Sequence, residues 1–392
     1  MPFVLGGLPL EFGLAKEHRL LRQMVAEFAD GEVAPKAHEY DEAEEFPKDL
    51  VETMYGIGLM GMMVPEAYGG GGMDTIGYCI AMEEINRADA SLGTIMSVNN
   101  SLVCDPILRY GTEEQKEELL PKLAQGGWLG AYALTEPWSG SDAGAMRSTA
   151  RLDGDEWVLN GQKIFVTNAW HSQIIISYAK TDPKAPRSKG ITAFIIPTDT
   201  PGLHKIRKEK KMGIRATDTT ALAFEECRIP RENLLGKVDE GFKVALSTLD
   251  GGRIGIASQA LGIAVAAYEA SLQYAQEREQ FGQTIRHFQA IQWKLADMAT
   301  EVDAARLLIY SAAYLRDSGR RYTKEAAIAK LFASDLAVRA SREAVQIYGG
   351  YGYLRDFPVE RLYRDAKITE IYEGTSEIQR VVIARQLLRE DR

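Results

Sequence analysis

The chain has 392 residues, 45% hydrophobic and 26% charged, with a formal net charge of −9. That length exceeds one ordinary core and predicts two or three domains, and the composition is that of a folded globular protein. The acidic balance argues against a nucleic-acid partner, which needs a basic face.

Three cysteines, Cys79, Cys104 and Cys227, stand far apart and in no metal-type spacing. They are expected to be buried free thiols in a reducing compartment. The five histidines form no pair at ligand spacing, so no metal site is expected. No apolar run approaches the length of a membrane span. Residues 1–10 are apolar without a basic flank, so no targeting segment is expected. A prokaryotic cytoplasm fits these readings.

Residues 16–126 carry a helical pattern. Leu20, Leu21, Met24, Val25 and Phe28 recur at three and four residues and predict one amphipathic face. Pro35, Pro47, Pro65, the glycine run 69–72 and Pro106 divide the region into several helices. The glycine run lacks the Lys-Ser/Thr pair of a phosphate loop and reads as a flexible turn. Between residues 129 and 235 the period changes. Turns are predicted at Asp153-Gly154 and Asn160-Gly161, with strand-like runs at 151–159, 174–178, 191–196 and 221–225. The basic run 205–211 reads as a solvated loop. Arg215 is expected to form an ion pair at a domain interface.

From residue 239 the helical pattern returns. Ile256, Ala260, Ile263 and Ala267 step at four, three and four residues, and 301–317 and 325–348 are strongly helical. Four long helices in an antiparallel bundle would use this material. The predicted class is therefore α+β. A helical domain (1–128) precedes a central β-barrel or sandwich (129–238) and a C-terminal four-helix bundle (239–392).

Two segments carry chemistry. Residues 132–141 offer backbone N–H groups freed by Pro137 and Gly140, with the hydroxyls of Thr135 and Ser141. Such donors suit a carbonyl-rich ring edge or a phosphate, and equally describe a surface turn between domains. No Gly-x-Gly-x-x-Gly unit follows a strand, so a bound dinucleotide would need other holders. Near the C-terminus, Glu373 precedes Gly374, Thr375 and Ser376. A carboxylate at such a break between helices can project into a cleft as a general base, with Thr375 capping the helix that follows. Read alone, it is also what a solvated acid at a helix N-terminus looks like.

Six blocks together resemble the acyl-CoA dehydrogenase family of flavoproteins, in the family's order and over nearly the whole chain. They are Ala133-Leu-Thr-Glu-Pro-Trp-Ser-Gly-Ser-Asp142, Leu159-Asn-Gly-Gln-Lys-Ile-Phe-Val-Thr-Asn-Ala169, Tyr274-Ala-Gln-Glu-Arg-Glu-Gln-Phe-Gly282, Phe288-Gln-Ala-Ile-Gln292, Gln346-Ile-Tyr-Gly-Gly350 and the Glu373 segment. The C-terminal third, notably Gly252-Arg-Ile-Gly-Ile-Ala-Ser-Gln-Ala-Leu-Gly262, looks closest to short-chain, butyryl-type members.

The resemblance implies FAD as cofactor and α,β-dehydrogenation of an acyl-CoA to the trans-2-enoyl-CoA. Glu373 is implied as the base, its backbone N–H also helping to hold the thioester oxygen. Tyr132, Leu134 and Thr135 match residues along the flavin's pyrimidine side, and Gly140 and Ser141 match the segment near its pyrophosphate and the acyl-CoA. Phe165 and Thr167 match an aromatic and a hydroxyl facing the flavin; many relatives have Trp where Phe165 stands, which removes an indole N–H. Arg278, Phe281 and Gln289 match residues gripping the ADP half. Gln346, Gly349 and Gly350 match a segment reaching the cofactor from a neighbouring subunit, which implies a homotetramer, a dimer of dimers. Thr375 and Glu377 match positions beside the phosphoribityl part.

Asp250 and Arg253 match contacts to the substrate's pantetheine or nucleotide, and also read as an ordinary helix-start ion pair. Tyr372 and Gly374 are implied to line the thioester end. Some relatives carry the base near the position of Gly252, which keeps Asp250 in view as an alternative. An electron-transfer flavoprotein is the implied electron acceptor. A branched-chain dehydrogenase, an oxygen-using acyl-CoA oxidase and a non-catalytic flavoprotein scaffold are the other readings.

Overall fold

The computed structural model describes residues 14–388. The expectation about residues 1–10 lies outside that range. Helices α1 (Lys16–Phe28), α2 (Ala34–Ala43), α3 (Lys48–Gly56), α4 (Thr75–Ala88), α5 (Ala90–Ser97), α6 (Asp105–Tyr110) and α7 (Glu113–Gln125) come first. Asp74 caps α4 by accepting from Gly77 N at 2.8 Å. Its Tyr78, Ile80 and Met82 are fully buried, so α4 is the core helix of this region. The predicted face of α1 is narrower than expected. Val25 and Phe28 are buried, but Leu20 and Met24 are exposed, because α1 lays only one stripe against its neighbours. The glycine run is not loose. Gly70, Gly71 and Gly72 donate to Pro65 O, Gly61 O and Val64 O, and a Cβ on Gly70 would overlap Val64. Its glycines serve close packing. After α5 the helix widens into a π-helical stretch, Val98–Cys104, which carries Leu102.

Strands β1 (Gly130–Ala133), β2 (Thr149–Asp153), β3 (Glu156–Thr167), β4 (Ile174–Lys180), β5 (Ile191–Pro197), β6 (Leu203–Lys208), β7 (Thr219–Pro230) and β8 (Leu234–Leu235) form one sheet. Its order is β6-β7-β3-β2-β4-β5-β8, with β1 parallel to β4. The sheet folds over its own interior, where Trp157 of β3 meets Phe194 of β5 edge to face at 5.3 Å. Ile174, Ile176 and Tyr178 of β4 face the other way and share a core with α7.

Two local expectations fail here. Asn160-Gly161 is not a turn but a bulge inside β3, since β7 pairs on both sides of it. Asn160 accepts from Glu226 N and Gly161 lies against Ser148, so tertiary contacts override the hairpin signal. Lys205, Arg207 and Lys208 form part of edge strand β6 rather than a loop, their charges blunting an open edge. Arg215 does pair across an interface, with Asp41, Glu42 and Glu44.

The last part is helical: α8 (Gly241–Glu277), a small hairpin of β9 (Glu279–Gln280) and β10 (Gln283–Thr284), then α9 (Gln289–Asp317), α10 (Thr323–Tyr348), α11 (Pro358–Thr369) and α12 (Ser376–Leu387). Alanines of α8, α9 and α10 meet in one core and let the helices approach closely. Three of these helices are long; the fourth partner, α11, has 12 residues. Contrary to the sequence expectation, α8 is long and apolar enough to cross a bilayer, but most of that stretch is buried inside the protein. It is the core helix of the bundle. The chain thus has a three-domain fold, helical at both ends with a β-sheet domain between.

Candidate active site

Glu373 sits in the short link between α11 and α12. It has φ 52° and is followed by Gly374 at φ 94°, so two successive residues are left-handed. For Glu373 that conformation is unfavourable and needs surrounding contacts to hold it. Gln379, fully buried in α12, donates to Glu373 O at 3.2 Å and Gly374 O at 2.8 Å. Lys330 Nζ of α10 donates to the same Gly374 O at 2.9 Å. Ser376 N closes the link onto Glu370 O at 2.9 Å, and Thr375 caps α12 through Ile378 N.

This backbone throws the Glu373 side chain onto α8. Its Oε2 is sealed from solvent and has no hydrogen-bond partner among the described residues. Beneath it lies Gly252, where a Cβ would overlap Oε2 and come within 3.0 Å of Leu102. Burial pushes the carboxyl up to about 7, against the opposing pull of Lys330 and then Arg253. A group poised there can accept a proton near neutral pH. Gly252→Ala is expected to displace the carboxylate and lower turnover by roughly 10²-fold, since about 1 Å of misplacement costs that much. Steady-state kinetics with flavin content held equal would check it.

Residues from all three domains face this carboxylate. Burial first, and the field of Glu373 in addition, push up the phenols of Tyr78 in α4, Tyr132 in β1 and Tyr372 beside the base. Tyr132 packs edge-on against Tyr178 at 5.4 Å, and its buried hydroxyl lacks a partner among the described residues. Tyr372 donates to Gln259 Oε1. Gln259 Nε2 then donates to Thr94 Oγ1 at 2.7 Å and Ala90 O at 3.0 Å. Gly252, Gly255 and Gln259 are spaced along one face of α8, and Tyr78 fills the space over Gly255. The region behind Glu373 is therefore closed by Tyr78, Leu102 and the Gln259 network. Sequence reading missed these residues. Only the run Gly252–Gly255–Gln259, small residues ending in a polar one on a buried helix, could have marked them.

Asp250 is not poised as a rival base. It pairs with Arg253 and accepts from Thr323 Oγ1 at 2.8 Å. Arg253 is buried, and its Nε is unpartnered among the described residues.

On the β side, the 132–148 loop is anchored from below. Lys163 Nζ, fully buried, lies 2.9 Å from Glu136 Oε1 and 3.3 Å from Leu134 O. Glu136 also accepts from Arg147 N, Ser148 N and Trp138 Nε1. Thr135 O accepts from Ile164 N at 2.9 Å, beside a second bulge in β3. That bulge gives Phe165 a φ of 59° and leaves its ring 62% exposed. Thr167 is half-buried, while Gly140 and Ser141 are exposed. A flat ring could lie against Phe165 while the orphan Tyr132 hydroxyl bonds its polar edge, so this half of the site fits a flavin.

The other matched residues are elsewhere. Arg278, at the end of α8, is 26 residues and roughly 39 Å of helix from Gly252. It sits over the Tyr351 ring at 5.3 Å in a cleft of 510 Å³ shared with Tyr274, Gly349 and Gly350. Phe281, 93% exposed, projects from the adjoining hairpin, and Gln289 begins α9. One chain does not bring this cluster to Glu373.

Comparison with known proteins places these features in one family. Sequence profiles for the acyl-CoA dehydrogenase N-terminal, middle and C-terminal domains match residues 15–127, 131–227 and 239–388. The mitochondrial short-chain specific acyl-CoA dehydrogenase of Bos taurus is 52% identical over 376 residues, covering 96% of this chain and 91% of that protein. A chain from a structural study of the electron transferring flavoprotein of Acidaminococcus fermentans superposes with a TM-score of 0.95. It is 48% identical and covers 97% of this chain and 100% of its own. Butyryl-CoA dehydrogenase from Megasphaera elsdenii gives a TM-score of 0.94 at 44% identity, covering 96% and 100%. With a carboxylate oxygen sealed over a glycine and matches along nearly its whole length, this chain belongs to the acyl-CoA dehydrogenase family, FAD-dependent oxidoreductases.

Proposed function

We propose that the protein dehydrogenates a short-chain acyl-CoA to the trans-2-enoyl-CoA, with Glu373 as the base. The observation that carries this reading is the enclosed, unpartnered Glu373 oxygen above Gly252. FAD, the family's cofactor, supplies when bound the two-electron acceptor for the β-hydrogen. Glu373 takes the α-proton. Its backbone N–H, which finds no acceptor among the described residues, is free to hold the thioester oxygen as enolate charge develops. Tyr132, Leu134, Thr135, Gly140, Ser141, Phe165 and Thr167 hold the flavin from the β side, and Thr375 and Glu377 from the α12 side. Ser141, Asp250, Arg253, Tyr372 and Gly374 border the acyl-CoA path.

The short-chain preference rests on the closure behind Glu373 and on the activity named for the bovine and Megasphaera relatives. Gln259→Ala should shorten the wall and move the preference from butyryl- toward hexanoyl- and octanoyl-CoA. Competition kinetics would show this as a rise of about tenfold in the kcat/KM ratio, the scale of added methylenes in an apolar pocket. The Arg278, Phe281, Gln289, Gln346, Gly349 and Gly350 cluster serves the ADP half of a partner subunit's cofactor in a homotetramer, since one chain separates it from Glu373. An electron-transferring flavoprotein accepts the electrons, and fatty-acid β-oxidation is the setting.

The direct test is anaerobic titration with butyryl-, octanoyl- and isobutyryl-CoA, following flavin absorbance. Bleaching strongest with butyryl-CoA is expected. Indifference to every thioester would sink the reading. The bleaching rate should also drop about tenfold per pH unit below about 7, where Glu373 becomes protonated.

A further inference from the structure

Among the described residues two lysines are wholly buried, and they keep different company. Lys163 has the Glu136 carboxylate at 2.9 Å. Among the described residues Lys330 has no carboxylate within ion-pair distance, and its one hydrogen bond there goes to Gly374 O at 2.9 Å. A neutral donor would satisfy a carbonyl, as the Gln379 amide does on this same oxygen. Burying an ammonium for that purpose alone is costly. The charge needs another reason, and the next residue is Glu373.

The rest of α10 points the same way. Ser334, one turn beyond Lys330, donates to Thr369 O at 2.8 Å, and Asp335 holds Arg380 at 3.2 Å. One face of α10 therefore grips the link on both sides of Glu373.

Resting on Glu373 as the base, we infer that Lys330 is a positioning residue for the reaction. It fixes the Gly374 carbonyl and biases the Glu373 carboxyl toward the ionised form that accepts the proton. The groups facing Glu373 are Lys330 of α10, Arg253 of α8, Tyr78 of α4, Tyr132 of β1 and Tyr372 of its own link. The phenols are uncharged near neutral pH. Arg253 is already committed to Asp250, so among the described residues Lys330 is the cation left to act on the base. Burial lowers Lys330 to about 8; Glu373 opposes this, Arg253 adds to it, and Glu370 and Asp335 oppose it. Its charge is thus present across neutral pH and fades above about 8.

The test uses the flavin-loaded protein, with anaerobic bleaching by butyryl-CoA timed from about pH 6 to pH 9. Wild type, Lys330→Met, Lys330→Arg and Glu373→Gln are compared. Losing the charge should move the acid limb of Lys330→Met up by about one unit, which is about tenfold slower at the acid end. The curves should converge at the alkaline end, where wild-type Lys330 loses its own proton. Lys330→Arg should keep the wild-type limb. A Lys330→Met limb coincident with wild type overturns the inference, and so does a uniform fall with an unmoved limb. Should Lys330→Met not retain flavin, Lys330→Gln keeps a donor without the charge and carries the same expectation and the same refutation. Bleaching that survives in Glu373→Gln would instead sink the base assignment. A silent Glu373→Gln beside an unmoved Lys330→Met limb sinks the lysine's role alone.

Discussion

Glu373→Gln is expected to keep its flavin while its bleaching by butyryl-CoA slows by about 10²–10⁴-fold. The amide has nearly the carboxylate's shape, so Gly252 still accommodates it and the link from Glu370 to Gln379 is undisturbed. What disappears is the proton acceptor. The folded protein should lose nothing in stability by the change. The folded pKa of Glu373, about 7, lies above its ordinary value, so between about 4.5 and 7 the folded state binds more protons than the unfolded one. Stability therefore falls as pH rises through that window. Removing the group should leave the urea midpoint at pH 8 unchanged or higher. Turnover near wild type would move the base elsewhere, and a lower midpoint would mean that the ionised carboxylate is stabilised by contacts absent from this structure.

Much of the fold was legible because its causes are local. Ile256, Ala260, Ile263 and Ala267 repeat at helical spacing, and all are buried in α8. Free, buried Cys79, Cys104 and Cys227 followed from their spacing. The failures share a different cause. Asn160-Gly161 carries a strong hairpin signal, but Ser148 and Glu226, distant in sequence, make it a bulge. The lysines of β6 suggested a loop because an edge strand uses solvated charge to protect itself.

The site divides the same way. Glu373 and the 132–141 loop stood out as local patterns. Lys330 and Gln259 did not, since they act on partners 44 and 113 residues away. Nothing near Lys330 in sequence distinguishes it from a lysine on an exposed helix face. Gly252 shows the converse. Its meaning, space for a carboxylate, exists only once the last helices fold back on α8.

Lys163→Met should be the most destabilising of the changes considered, by about 3–5 kcal/mol, because it leaves a buried charge uncompensated. Both side chains of the Lys163–Glu136 pair are fully buried. Burial works against the charge on Glu136, but Lys163, the Ser148 hydroxyl and Arg147 N together hold its carboxyl below the usual range. The pair also sets the flavin side of the site. Lys163 reaches Leu134 O, and Glu136 gathers Trp138, Arg147 and Ser148, so both ends of the loop hang from one ion pair. Urea unfolding and the flavin-to-protein ratio should therefore fall together in Lys163→Met. Glu136→Gln combined with Lys163→Met removes both charges, keeps an acceptor for the loop's N–H groups, and should recover more than half of the lost stability. Flavin retention should recover with it. A double variant no more stable than Lys163→Met would show that the loop depends on the ammonium's bond to Leu134 O and not on charge balance. Full flavin occupancy in the single variant would separate the loop's anchor from cofactor binding.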